Sequence, residues 1–177
     1  MVYIREAEPD DAAAIARVHV DTWRTTYAGI VPADHLARLS PEKGEENWRG
    51  QLTTPPEGRF VYVAVDEREG VVGFAAAGPC TADNPVCQGE IYAIYLLAGH
   101  QCLGIGRVLV RAVAGRLIRQ GISSMLVWVL ADNPTRGFYQ ALGGQLVGEK
   151  SMVIGGAELV GVAYGWPDIQ HLADLTP

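Results

Sequence analysis

The chain opens on an alternating run, VYIREAE, which predicts a short strand. The spacing then changes: PDDAAAIARVHVDTW predicts a helix whose inner face can carry Ile15, Val18 and Trp23. Pro9 suits the first turn of that helix, and Asp10 and Asp11 complement its dipole. GIVPADHLARLSPEKGEENWRGQL predicts a short helix, a break at Ser40–Pro41, and a second helix through Trp48 and Leu52. In RFVYVAVDEREGVVGFAAAG, two β-branched and aromatic runs flank a charged turn closed by Gly70, the signature of a hairpin. TADNPVCQG follows as a polar loop.

EIYAIYLLA predicts a strong strand. Strict alternation places Glu90, Tyr92, Ile94 and Leu96 on one face and Ile91, Ala93, Tyr95 and Leu97 on the other. Gly104 to Gln120 has helical spacing, with Gly121 as its stop. SSMLVWVL is almost wholly apolar, as a strand covered on both faces should be. NPTRGFYQALGG predicts an Asn133 cap, Pro134 at the first helical position, a short helix and a glycine exit. QLVGEKSMVI and AELVGVAYGW predict two last strands joined around Gly155–Gly156. With no repeat, linker or low-complexity stretch, residues 1–177 are expected to form one mixed α/β domain.

Composition narrows the function. Apolar residues make up 49% and charged ones 19%, a globular balance. The formal charge of −6 argues against nucleic acid as partner, since such binders are usually basic. No apolar run approaches the ~20 residues a membrane helix needs, and the charged N-terminus lacks a signal region. Cys80, Cys87 and Cys102 form no CxxC pair, and His19, His35, His100 and His171 are scattered. No metal is expected, and the expected location is the cytoplasm.

HQCLGIGRVLV poses the sharpest question, because Gly104 and Gly106 fall at a helix start and glycine weakens a helix by roughly 1 kcal/mol. One answer is a ligand: free amides at a helix start form an anion site, and glycine lets the backbone approach phosphate oxygens around Leu103 to Arg107. The other answer is close packing of the helix on its sheet. A P-loop would need Lys and then Ser or Thr where Arg107–Val108 stands. A dinucleotide fingerprint would need glycine or alanine at Leu109, although Asp132 could imitate its ribose acid.

QCLGIG, with GEIYAIYLLAGHQ before it and LVWVLADNPTRGFYQALG after it, resembles the GNAT superfamily of acyl-CoA-dependent N-acetyltransferases. The likeness covers about Gly89 to Val147. Its marks are the Q/R-x-x-G-x-G/A loop, the following strand and an N-x5-Y spacing, in order. It implies an α/β fold with a mixed, mostly antiparallel central sheet, a splayed central strand pair and flanking helices. Acetyl-CoA would be the cosubstrate, its pyrophosphate on the loop of Gln101, Cys102, Leu103, Gly104, Ile105, Gly106 and Arg107. Asn133 matches a position that contacts the cofactor arm, and Tyr139 matches a tyrosine near the departing sulfur. The sequence departs from the pattern at LLAGH, at Cys102 and at Gly144, where an aromatic is usual.

Forming an amide from a thioester requires a neutral amine, a polarised carbonyl and a protonated leaving thiolate. A thiol has a pKa of roughly 8.5 and a phenol roughly 10, so Tyr139 is a candidate acid; its other reading is a core tyrosine beside Phe138 and Leu142. Glu90 is a candidate base through water, or else a solvated strand-end glutamate. Amides near Tyr95 and Leu96 can polarise the carbonyl. Trp128 stands where some relatives carry a carboxylate. Trp23 and Tyr27, at i and i+4, either wall the acceptor cleft or belong to the core. The acceptor is expected to be a small-molecule amine or a protein N-terminus, and a homodimer is left open. The rival readings are a non-catalytic acyl-CoA-binding module and, disfavoured by Leu109, a nicotinamide enzyme.

Overall fold

The computed structural model describes residues 1–81 and 87–176; residues 82–86 of the polar loop lie outside it. A seven-stranded sheet forms in the order β1-β2-β3-β4-β5-β7-β6. The strands are β1 (Val2–Glu6), β2 (Phe60–Asp66), β3 (Gly70–Pro79), β4 (Gly89–Leu96), β5 (Met125–Leu130), β6 (Gln145–Ile154) and β7 (Ala157–Trp166). Every pairing is antiparallel except β4 with β5. The helices are α1 (Ala12–Thr26), α2 (Ala33–Arg38), α3 (Pro41–Thr53), α4 (Ile105–Arg119), α5 (Gly137–Ala141) and α6 (Gln170–Ala173).

One face of the sheet packs against α4 through Leu109, Val113, Leu117, Met125, Val127, Tyr164 and Trp166. The other face packs under α1 and α3 through Ile15, Val18, Trp48, Val63 and Phe74. Ser40 caps α3 by accepting from the Lys43 amide, as the Ser-Pro break requires. A carboxylate ties the chain's first turn together: Asp11 accepts two hydrogen bonds from Arg5, at 2.7 and 2.8 Å, and one from the Glu8 amide. No helix among the described residues is long and apolar enough to cross a membrane.

Three expectations need correction. The first is alternation along β4. Ala76 of β3 pairs with Ala93 but Ala77 pairs with Ile91, so β4 carries an extra residue, a bulge at Tyr92–Ala93. Ile91 therefore shares the α4 side with Ile94 and Leu96, while Tyr92, Ala93 and Tyr95 pack toward α1. Secondly, α4 starts at Ile105, with Gly104 outside it at φ 82°. Thirdly, Asn133 and Pro134 do not open α5, which starts at Gly137. Asn133 Oδ1 instead accepts from the Thr135 amide and hydroxyl, both at 2.8 Å, in a turn that uses the capping interaction earlier in the chain.

The departure at Gly144 has a packing reason. A Cβ there would lie 2.7 Å from the Trp166 ring and 2.9 Å from the Tyr139 carbonyl oxygen. Trp166 takes up that space and donates from Nε1 to the Leu142 carbonyl at 2.8 Å.

Candidate active site

The parallel pair is short. β4 and β5 stay in register only from Gly89–Met125 to Ile91–Val127; beyond this β5 pairs with β7 alone, and the two strands part. The bulge in β4 lies where the parting begins. A cleft of about 630 Å³ fills the gap, with Tyr92 to Leu96 on one side and Val127 to Val129 on the other.

The glycine loop forms one end of this cleft, through Gln101, Cys102, Gly104, Gly106 and Arg107. Cys102, at φ 60°, and Gly104, at φ 82°, are both left-handed. Among the described residues, no amide from Cys102 to Gly106 finds an acceptor, and the dipole of α4 adds to their field. Such a run of unused amides in alternating backbone conformation is a nest for an anion. Leu103 projects into solvent and Ile105 into the core, so any part they play here is through their backbones. Gln101 braces the loop by donating from Nε2 to the Leu96 carbonyl at 3.0 Å.

The two glycines do different work. Gly104 supplies the left-handed conformation and has open space around it. Gly106 supplies closeness: a Cβ there would lie 3.2 Å from the Phe138 ring and 3.6 Å from Leu96. The close-packing reading of this pair describes Gly106, and Gly104 is the one that shapes the loop.

Tyr139, on α5, is 8% exposed and lines the cleft. Its ring stacks on Tyr164 with centroids 5.6 Å apart, which fixes its direction. Its hydroxyl has no hydrogen-bond partner among the described residues and stays protonated: burial, and then Tyr95 and Tyr27, push its pKa well above the phenol value. Burial does the same to Tyr95, whose ring stacks on His19 at 5.1 Å.

Asn133 is buried and lines the cleft, with Nδ2 donating to the Tyr27 hydroxyl at 3.1 Å. Tyr27 thus borders the cleft and holds Asn133, a link that neither residue's sequence context shows. Trp23 packs edge-on against Tyr27 at 4.8 Å and joins Val31, Leu36 and Leu130 in a small apolar cluster. Trp23 does not line the cleft, so the acceptor-wall expectation narrows to Tyr27. Tyr27→Phe should strand the Asn133 amide and cost about 1–3 kcal/mol. Denaturant titration should show it as a lower midpoint with an unchanged m-value, and full retention of stability would mean that the bond contributes nothing.

Glu90 is not brought to Tyr139. It is the second residue of β4, does not line the cleft, and its Oε2 accepts from the Thr81 amide at 3.0 Å and the Thr81 hydroxyl at 2.7 Å. The sequence reading also passed over Thr22 and Thr26, which line the cleft from α1. The Thr22 hydroxyl donates to the Leu96 carbonyl of β4 at 3.4 Å, and the i, i+4 spacing of the two threonines was the available signal.

A family model described as FR47-like protein matches residues 71–153. The uncharacterised N-acetyltransferase YuaI of Bacillus subtilis (strain 168) is 43% identical over 175 residues, which is 99% of this chain and 98% of that one. The chain belongs to the GNAT superfamily of N-acetyltransferases. Among solved structures, a GNAT-family acetyltransferase from Desulfovibrio desulfuricans matches with TM-score 0.69 at 20% identity, covering 94% of this chain and 98% of its own. The acetyltransferase yncA from Salmonella typhimurium, solved with its cofactor acetyl-CoA, matches with TM-score 0.68 at 20% identity, covering 94% and 93%. These two likenesses bear on the fold alone.

Proposed function

We propose that this protein transfers the acetyl group of acetyl-CoA to the amine of a small molecule or a protein N-terminus by direct attack. One observation carries the reading: a single cleft joins the free amides of residues 102–106 to the unpartnered hydroxyl of Tyr139. Residues 101–107 hold the pyrophosphate, with Arg107 adding a positive charge at the loop. The parted edge of β4 at Tyr95 and Leu96 takes the pantetheine arm and the thioester carbonyl. Asn133, oriented by Tyr27 and Thr135, contacts the arm.

Tyr139 donates its proton to the sulfur as the carbon–sulfur bond breaks. Because the Thr81 hydrogen bonds hold Glu90 outside the cleft, water takes the proton released by the amine. The free thiols of Cys80, Cys87 and Cys102 suit a reducing cytoplasm. Titration calorimetry with acetyl-CoA, followed by thiol release against a panel of amines, tests the reading. Binding together with amine-dependent release is the expected result. Binding without release for every amine would make this a CoA-binding module instead.

A further inference from the structure

Trp128, in the middle of β5, lines the cleft, and the Nζ of Lys150 lies over its ring, 4.0 Å from the centroid. Strand order brings them together. Trp128 and Gly148 both pair with Ala163 of the intervening β7, and Lys150 pairs with Gly161. These small residues leave the indole uncovered, and a Cβ at Gly148 would already lie 3.4 Å from it. Lys150 is exposed and makes no ion pair among the described residues.

The charges around the cleft are one-sided. Among its lining residues only Arg107 is charged, and no carboxylate lines it. Glu90 lies outside the cleft lining, held by Thr81, and Glu149 precedes Lys150 on the strand and so projects to the other face of β6. Arg59 adds a second cation over Tyr92, another lining ring, at 4.7 Å. A chain of net charge −6 thus presents a positive rim at the cleft. That rim repels an acceptor that is only an amine and attracts one that also carries an acid.

Building on the acetyl-transfer reading, we propose that the acceptor is a small amine bearing a carboxylate, of the amino-acid class, and that Lys150 binds that carboxylate beside Trp128. The test compares free α-amino acids with their uncharged carboxamides and with a diamine, all by thiol release from acetyl-CoA. The amino acids should show a kcat/KM about 10- to 100-fold above their carboxamides, the range for a hydrogen bond to a charged group. Lys150→Gln should erase that preference by raising the amino-acid KM by the same factor, while Lys150→Arg retains most of it. Affinity for acetyl-CoA, read by calorimetry, should stay at the parent's value in both variants.

Carboxamides or the diamine reacting as well as the acids would overturn this inference and leave acetyl transfer standing. An undiminished acid preference in Lys150→Gln would remove Lys150 as its reader. Thiol release with none of these amines but with another amine of the wider panel would overturn the acceptor class and leave acetyl transfer standing; release with no amine at all would overturn both.

Discussion

Tyr139→Phe should lower kcat by about 10²- to 10⁴-fold, the usual worth of general acid catalysis, which corresponds to about 3–5 kcal/mol on the barrier. The substitution removes one oxygen and keeps the ring stacked on Tyr164 and edge-on to Phe138. The hydroxyl makes no hydrogen bond among the described residues, so the variant should be as stable as the parent. Acetyl-CoA affinity should change little, because the loop proposed to hold the pyrophosphate is untouched. The pH dependence adds an independent check. Burial holds the Tyr139 pKa above the phenol value, so the donor stays loaded across the working range. Activity of the parent should therefore show no alkaline fall from loss of this proton up to about pH 10, the ordinary phenol value. Single-turnover measurements separate chemistry from product release, and an acyl donor with a more acidic leaving thiol should partly rescue the variant. A single-turnover rate within a fewfold of the parent's would make Tyr139 a packing residue, with water protonating the sulfur.

Order, type and approximate bounds of the elements are written in the spacing of apolar residues, and the loop in its glycines. What escaped the sequence depends on contacts between strands. EIYAIYLL is apolar on both faces, so one inserted residue leaves no gap in the pattern. Only the partners on β3, Ala76 with Ala93 and Ala77 with Ile91, reveal the bulge. Glu90 reads as a free strand-end acid until the continuation of β3 brings Thr81 against it. Asn133 was recognised for its ability to bond a nearby amide, and it does so, but the chain turns through residues 134–136 before α5 begins. The Trp128–Lys150 pair needs β7 between β5 and β6, an order that no local pattern encodes. The loop was legible because its chemistry is local: the amides, the left-handed residues and the helix start lie within a few positions.

That locality makes Gly104→Val the strongest test of the anion nest. Gly104 sits at φ 82° with nothing within 4 Å of where a Cβ would go, so any loss comes from conformation and not from collision. A left-handed L-residue costs roughly 1–2 kcal/mol, and a branched side chain fares worse there. The loop can relieve that strain by rotating out of the left-handed region, which turns the amides from Cys102 to Gly106 away from a common point. Hydrogen bonds to a charged group are worth about 1.5–3 kcal/mol each. Losing two of them weakens acetyl-CoA binding by about 10²-fold or more. Calorimetry on the folded variant reads this directly, and dephospho-acetyl-CoA, which retains the pyrophosphate, should suffer the same loss. Gly99→Ala is the control: it lies just before the loop, has no left-handed φ and has open space for a methyl, so affinity should stay at the parent's value. Gly106→Val would strike Phe138 and disturb α5, so its loss of affinity would mix packing with binding. If Gly104→Val bound acetyl-CoA as the parent does, the pyrophosphate would have to be held by side chains such as Arg107, and the amides of residues 102–106 would be spectators.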